Sequence, residues 1–255
     1  MIAPSQYALL ALAAVGAGFV NALAGGGTLI TFPTLIATGL SAVASNVTNT
    51  IALCPGYVGG TLGQRGDLRG QRKRLIAFLP TAFLGGLAGA FILIYTGERV
   101  FRTIVPFLIL FAALLLALQD VLRGWLARRA AQGKAGAGDW AWALPVVALA
   151  AVYSGYFGAG ASVIVLAVLG LFLDDSLGRL NALKQSIALS SNLAAAGVFA
   201  LSGKVVWPVA LVLSIGAVAG GFLGGRLASR MKSGYLRWIV VAIGTVVGVV
   251  YLVQG

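Results

Sequence analysis

The 255-residue sequence has no histidine and only one cysteine, Cys54. The lack of histidine excludes a Ser-His-Asp triad, and neither a cluster of metal-ligating side chains nor a glycine-rich phosphate loop is present. A single cysteine excludes an intrachain disulfide. The sequence therefore predicts a protein that is not an enzyme and that uses no metal or other cofactor.

Charged residues are also scarce, at 9% of the chain, whereas hydrophobic residues make up 60%. Soluble domains contain about 25% charged residues, so this composition indicates an integral membrane protein. Basic residues outnumber acidic ones by 18 to 6, but they are split among loops without interleaved aromatic side chains. They therefore predict cytoplasmic loops beside membrane lipid and argue against a nucleic-acid partner.

Four apolar segments approach the length of about 20 residues that a membrane-crossing helix needs. They cover residues 75–95, 100–118, 205–223 and 236–253. Two further apolar regions, 7–62 and 140–201, are interrupted by glycine and small polar residues, so each predicts several helices with breaks. We expect a first membrane repeat at 1–118, a cytoplasmic linker at 119–139 and a second membrane repeat at 140–255.

The two halves resemble each other at a constant offset of 135 residues, as duplicated transporter halves do. A constant offset at several separated places is hard to obtain by chance. The matched positions are GGLAGA at 85–90 with GGFLGG at 220–225, Asn46 with Asn181, FRTIV at 101–105 with LRWIV at 236–240, and the first glycine stretch with Gly160 and its neighbours.

The positions of the basic residues predict how the halves are oriented, because lysine and arginine accumulate on the cytoplasmic side of short loops. Three basic clusters, within 65–74, 123–134 and 226–237, share one side only if the second half is inverted. The sequence thus predicts an all-α, polytopic membrane protein with inverted-topology halves. Both termini are then outside the cytoplasm.

The segment NALAGGGT at 21–28 places three consecutive glycines in an apolar region, where they should interrupt a helix. Backbone groups freed within a membrane need partners from protein or cavity water. Interrupted helices of inverted repeats commonly meet near the midplane and point N–H groups at an anion. The predicted donors are Gly25, Gly26, Gly27 and Thr28 in the first half, and Gly160, Ala161 and Ser162 in the second.

The alternative interpretation is that these glycines only allow helices to pack closely. We expect that packing role for a separate set of glycines on uninterrupted helices, namely Gly85, Gly89, Gly220, Gly221, Gly224 and Gly225.

A polar cluster follows each glycine stretch, SNVTNT at 45–50 and NALKQS at 181–186. Asn46 and Asn49, like Asn181 and Lys184, are three residues apart and share a helix face. Together with Gln185 they provide donors that suit one small anionic substrate. In the alternative interpretation, Lys184 extends to the membrane interface and the asparagines join helices. The six acidic residues fall in loops or at helix ends, which argues against cation transport.

These segments resemble the TauE/SafE sulfite-exporter family of membrane permeases, also called TSUP. The family has a glycine-rich stretch near the start of each half, followed by a small-residue segment with Asn and Thr. Its two copies stand here as LAGGGTLITFPTL (23–35) with AVASNVTNTIAL (42–53), and as GAGASVIVLAVL (158–169) with RLNALKQSIALSSN (179–192). Two features depart from the family pattern: Ala161 and Ser162 replace glycines, and Lys184 belongs to no family motif.

The resemblance implies a permease of the bacterial cytoplasmic membrane that moves sulfite or a small organosulfonate, often outward. We therefore expect the two halves to alternate around a central anion site made of the glycine breaks and the polar clusters. A passive small-anion channel and a non-transporting scaffold subunit are the alternatives, and the sequence is compatible with a homo-oligomer.

Overall fold

The computed structural model describes residues 3–23, 26–131, 140–227 and 233–254, and within these ranges its regular structure is entirely helical. The predicted all-α fold is therefore confirmed. The helices are α1 (Pro4–Leu23), α2 (Thr28–Ala37), α3 (Ala42–Gly63), α4 (Arg72–Ala131), α5 (Ala143–Tyr156), α6 (Ala161–Phe172), α7 (Leu177–Leu201), α8 (Trp207–Leu227) and α9 (Ser233–Gln254), with a single 3-10 turn at Trp140–Trp142 before α5.

Helix α4 is divided by a bend at Gly97, whose φ of 74° is readily adopted only by glycine. The bend gives a first arm at 72–96 and a second arm at 98–131, and the predicted spans 75–95 and 100–118 lie on these two arms. By length and composition, Arg72–Arg128 and Leu236–Val253 are apolar enough to cross a membrane. Large apolar side chains face outward, with Leu201 91% exposed, as lipid contact requires.

Part of the predicted linker is helical, because the second arm of α4 continues through Ala131. The reason is packing: Leu126 is buried, and its side chain fills the space beside Gly170 of α6. A flexible segment would leave that apolar side chain in water. The remainder of the linker, 132–139, lies outside the described residues.

The two shortest α-helices of the described residues, α2 and α6, are too short to cross a membrane. At a rise of about 1.5 Å per residue, the 10 residues of α2 and the 12 residues of α6 extend roughly 15–18 Å, about half the hydrocarbon thickness. Helix α2 runs back along α1, since Nε2 of Gln6 donates to the Thr38 carbonyl oxygen at 3.4 Å. At the other end of this pair, a Cβ on Gly27 would lie 2.7 Å from the Ala17 carbonyl oxygen.

Two pairs of helix starts repeat at the offset found in the sequence, whereas α2 and α6 begin 133 residues apart, at 28 and 161. Helices α3 and α7 begin at residues 42 and 177, and the first arm of α4 and α8 begin at 72 and 207. Each of these two pairs is separated by 135 residues. This agreement supports a duplication, while the orientation of the second half in the membrane stays a prediction.

The halves are interlocked through glycines. Helix α1 packs along α8, and α5 packs along α4. A Cβ on Gly220 would overlap the Val15 carbonyl oxygen, and a Cβ on Gly89 would overlap that of Val152. Gly85 meets α5 in the same way. The packing role predicted for these glycines is confirmed, Gly221 makes a looser approach to Gly18, and the surroundings of Gly224 and Gly225 lie outside the described residues.

At one end of the bundle, which we call the basic end, the connection 173–176 meets the start of α4 and the start of α7. The Arg74 guanidinium pairs with the Asp175 carboxylate at 2.5 Å, and Arg179 pairs with the same carboxylate at 2.7 Å. Although burial alone would raise it, the pKa of Asp175 is lowered by hydrogen bonds from Arg179, Arg74 and the Ser176 N–H. The two halves are therefore tied together here by charge.

The opposite end has different ties. Both carboxylate oxygens of Glu98, just after the α4 bend, accept backbone N–H groups at the start of α3, from Ala42 at 2.5 Å and from Val43 at 3.0 Å. The Val206 N–H donates to Oγ1 of Thr48 at 3.1 Å, which joins α3 to the start of α8. A smaller cavity of about 360 Å³ lies at this end, beside Glu98 and Arg102.

Candidate substrate cavity

A cavity of about 490 Å³ lies between α1, α3, α4, α6, α7 and α8. This volume is typical of small-ligand sites. Within the described part of the chain its lining contains amides, hydroxyls and two cations but no aspartate or glutamate. The polar lining residues are Asn21, Tyr57, Gln64, Gln119, Arg123, Ser162, Asn181, Lys184 and Gln185.

The wall formed by α3 leaves room because it carries few side chains. Pro55 lacks a backbone N–H and so removes one helical hydrogen bond, and three glycines follow it at 56, 59 and 60. A Cβ on Gly60 would overlap the side-chain amide of Gln185 on α7, which would have to move aside. Helices α3 and α7 therefore cross closely at this wall.

Lys184 is held at the cavity by a chain of amides. Its Nζ donates to Oδ1 of Asn181 at 2.7 Å, and Nδ2 of Asn181 donates to Oε1 of Gln64 at 2.7 Å. An ammonium has three donors, so this chain orients Lys184 while using one of them. The hydrogen-bond partner of the Lys184 ammonium is therefore neutral. The hydrogen bonds from Lys184 to Asn181 and from Asn181 to Gln64 link α7 to the end of α3.

The second arm of α4 presents Gln119 and Arg123 to the same cavity, one helical turn apart. Gln119 is only 5% exposed, and its Oε1 accepts no hydrogen bond from the residues described. Between them in sequence, Asp120 is bound by both terminal nitrogens of Arg237 on α9. Arg123 forms no ion pair with any residue that the structure describes.

Four of the predicted site residues line this cavity, namely Ser162, Asn181, Lys184 and Gln185. The other polar cluster lies elsewhere. Nδ2 of Asn46 donates to the Tyr156 carbonyl oxygen at 2.9 Å, and Oδ1 of Asn49 accepts from Oγ1 of Thr31 at 2.6 Å. Asn46 thus binds the end of α5, just before the second glycine break.

The two glycine breaks meet the same stretch of α4 without lining the cavity. Gly26 has φ of 90° and lies against Leu116, whereas Gly160 has φ of 76° and lies against Ala112 and Leu115. Both breaks therefore flank the second arm. Gly27 is the residue before α2, and Thr28 and Ala161 are the first residues of α2 and α6. Gly25 lies outside the described residues.

Several cavity residues were not in the predicted site. Asn21 belongs to the NALAGGGT segment, but there the glycines are the stronger signal. Gln119 and Arg123 are spaced four apart, which places them on one helix face, yet their segment resembles a linker in sequence. Gln64 follows a glycine-rich helix end. Only the spacing of Gln119 and Arg123 offers a signal that sequence reasoning could have used.

Comparisons with known proteins identify the family of this chain. A family model described as "Sulfite exporter TauE/SafE" matches residues 10–251. The "Probable membrane transporter protein YfcA" of Escherichia coli K12 is 27% identical over 256 residues, covering 96% of this chain and 89% of that protein. A "Probable membrane transporter protein" of Haemophilus influenzae is 27% identical over 225 residues, covering 88% of this chain and 86% of that protein. No solved structure gives a significant match to this chain.

Proposed function

Because the chain belongs to the TauE/SafE sulfite exporter family, it is a membrane transporter, and we propose that it exports a small sulfur oxyanion, either sulfite or an organosulfonate. The observation that carries this proposal is the cavity at Lys184, where a cation and several amide donors surround a ligand-sized space that no described carboxylate lines. A cation in a protein interior is costly unless it is paired, and an anionic substrate provides the partner.

In the proposed site, Lys184 binds an oxygen of the substrate through the ammonium donors that Asn181 leaves unused. Gln185 and Ser162 contribute an amide and a hydroxyl from α7 and α6. The glycine breaks and Asn46 support the interrupted helices around this site. A direct contact of those residues with substrate stays a prediction from the sequence.

We propose that transport proceeds by alternating access between the two halves. The ion pairs of Asp175 join the two halves at the basic end, and the contacts of Glu98 and Thr48 join separate elements at the opposite end. Each set joins separate elements, so breaking one while keeping the other would expose the cavity to one side. The positive-inside rule places the basic end in the cytoplasm.

Sulfite flux into proteoliposomes tests this function, comparing the wild type with Lys184→Gln. Loss of a charge-assisted hydrogen bond is worth about 1.5–3 kcal/mol, so we expect kcat/KM to fall by roughly 10- to 100-fold. Lys204→Gln is the matched control, because Lys204 is exposed between α7 and α8 and does not line the cavity.

The same assay separates the alternatives. Saturable flux that is accelerated by sulfite on the opposite side indicates a carrier, whereas flux that never saturates indicates a channel. If folded protein moves neither sulfite nor any organosulfonate, the proposed substrate is wrong. If Lys184→Gln and Lys204→Gln behave alike, the site is wrong.

A further inference from the structure

We propose that Arg123, on the second arm of α4, is a second cationic ligand of the substrate and makes the site prefer doubly charged anions over singly charged ones. This inference rests on the proposed anion site and adds a residue from a segment that the sequence assigns to a linker. Arg123 lines the same cavity as Lys184, but it approaches from a different helix.

The position of Arg123 is built into the fold. The second arm of α4 is held in place by Leu126, which is buried against α6. Gln119, one turn before Arg123, is 5% exposed and carries an amide oxygen without a hydrogen-bond partner among the residues described. Since residues four apart share a helix face, α4 presents a polar strip of two side chains to the cavity.

The charges around Arg123 do not cancel. Asp120 is one turn away on α4, but its carboxylate is bound by both terminal nitrogens of Arg237. The single carboxylate of Asp120 thus lies near two arginines, Arg123 and Arg237. The hydrogen-bond partner of Lys184 is Asn181, which is neutral. Among the described residues, the surroundings of the cavity therefore keep a positive excess.

Two cations that share a cavity repel each other more strongly than they would in water, because the effective dielectric constant is lower. A bound anion relieves that repulsion. The Coulomb energy is proportional to the charge of the ligand, so an anion with two charges gains about twice as much from Arg123 as an anion with one. A cavity of about 490 Å³ also has room for a ligand with an anionic group at each end.

Calorimetric titration of purified protein with ethanesulfonate and ethane-1,2-disulfonate tests this inference, since the two probes share one head group and differ in charge. We expect the wild type to bind the disulfonate about tenfold more tightly. Arg123→Gln should reduce that preference to about twofold, mainly by weakening disulfonate binding. Arg123→Lys keeps the charge and should keep most of the preference. Arg128→Gln, an exposed arginine on the same helix that does not line the cavity, should leave it unchanged.

Three results would each overturn the role of Arg123. The first is an unchanged preference for the disulfonate in Arg123→Gln, and the second is an equal loss of affinity for both anions in that variant. The third is a wild type that binds the two anions equally tightly. The binding assay needs no transport, so its outcome is separate from that of sulfite flux. Flux without a charge preference rejects only this inference. A charge preference without flux of any sulfur anion rejects the proposed function and leaves an anion site that contains Arg123.

Discussion

At the scale of single residues, the structure assigns partners to polar side chains that the sequence shows only as donors. Asn46 is 1% exposed and binds the carbonyl oxygen of Tyr156, the last residue of α5. The last carbonyls of a helix have no intrahelical donor, so this bond satisfies a group that the nearby glycine break would leave unpaired. Asn49 joins α2 to α3 through Thr31. Both asparagines therefore help to hold the interrupted helices.

We expect Asn46→Ala to lower the free energy of unfolding by about 1–3 kcal/mol, because it leaves the partly buried Tyr156 carbonyl unpaired. Thermal unfolding in detergent measures the effect. Thr103→Ala, which removes an exposed hydroxyl from the second arm of α4, is the control and should change stability by less than about 0.5 kcal/mol. The KM for sulfite adds a second readout. A tenfold rise in KM would support the substrate contact predicted from the sequence, and unchanged stability would contradict the supporting role.

At the scale of helices, glycines set how closely the halves approach. Gly220 lets α8 meet the backbone of α1 at Val15, and Gly89 lets α4 meet that of α5 at Val152. The two contacts occur between corresponding helices of the repeat. In a membrane, lipid tails are as apolar as side chains, so close backbone packing of this kind stabilises helix association where burial of apolar surface does not.

Gly220→Ala should destabilise the protein by about 1–3 kcal/mol, because its Cβ would overlap backbone atoms that cannot move independently. Gly197→Ala is the matched substitution, since Gly197 is inside α7 and a Cβ there meets no atom within 4 Å. It should be neutral or stabilise by up to about 1 kcal/mol, the usual gain of alanine over glycine in a helix. Similar melting temperatures for the two variants would contradict the packing role.

At the scale of the whole molecule, contacts between distant segments divide the bundle into two ends with different chemistry. Arg74, Asp175 and Arg179 meet at the basic end, whereas Glu98 and Thr48 form the ties at the other end. The connection 64–71 carries further arginines, as expected for a cytoplasmic surface. An inverted second half would place all three basic clusters there.

Cysteine labelling of intact cells tests this orientation in a Cys54→Ala background. Arg65→Cys and Lys204→Cys each introduce one exposed thiol, at the basic end and at the opposite end respectively. A membrane-impermeant maleimide should label Lys204→Cys in intact cells and Arg65→Cys only after permeabilisation. Labelling of both variants under the same condition would contradict the proposed inversion.

Much of the fold was predictable because its signals are local. Long apolar segments, glycine breaks and a repeated spacing are properties of neighbouring residues, and the structure has helices, interruptions and matching helix starts at those places. The segment 119–131 was not predictable in the same way. Its composition suits a loop, but Leu126 packs against α6, a contact that depends on residues more than 40 positions away.

The sequence by itself determined the membrane class, the two interrupted helices and the presence of Ser162, Asn181, Lys184 and Gln185 among the candidate ligands, because apolarity, helix breaking and donor chemistry belong to the residues themselves. Only the tertiary structure decided which donors share a cavity. It brought Gln64 and Arg123 to Lys184 and directed Asn46 to Tyr156. The physical reason is that six helices surround the cavity, and their relative positions depend on packing between distant segments, which no local pattern records.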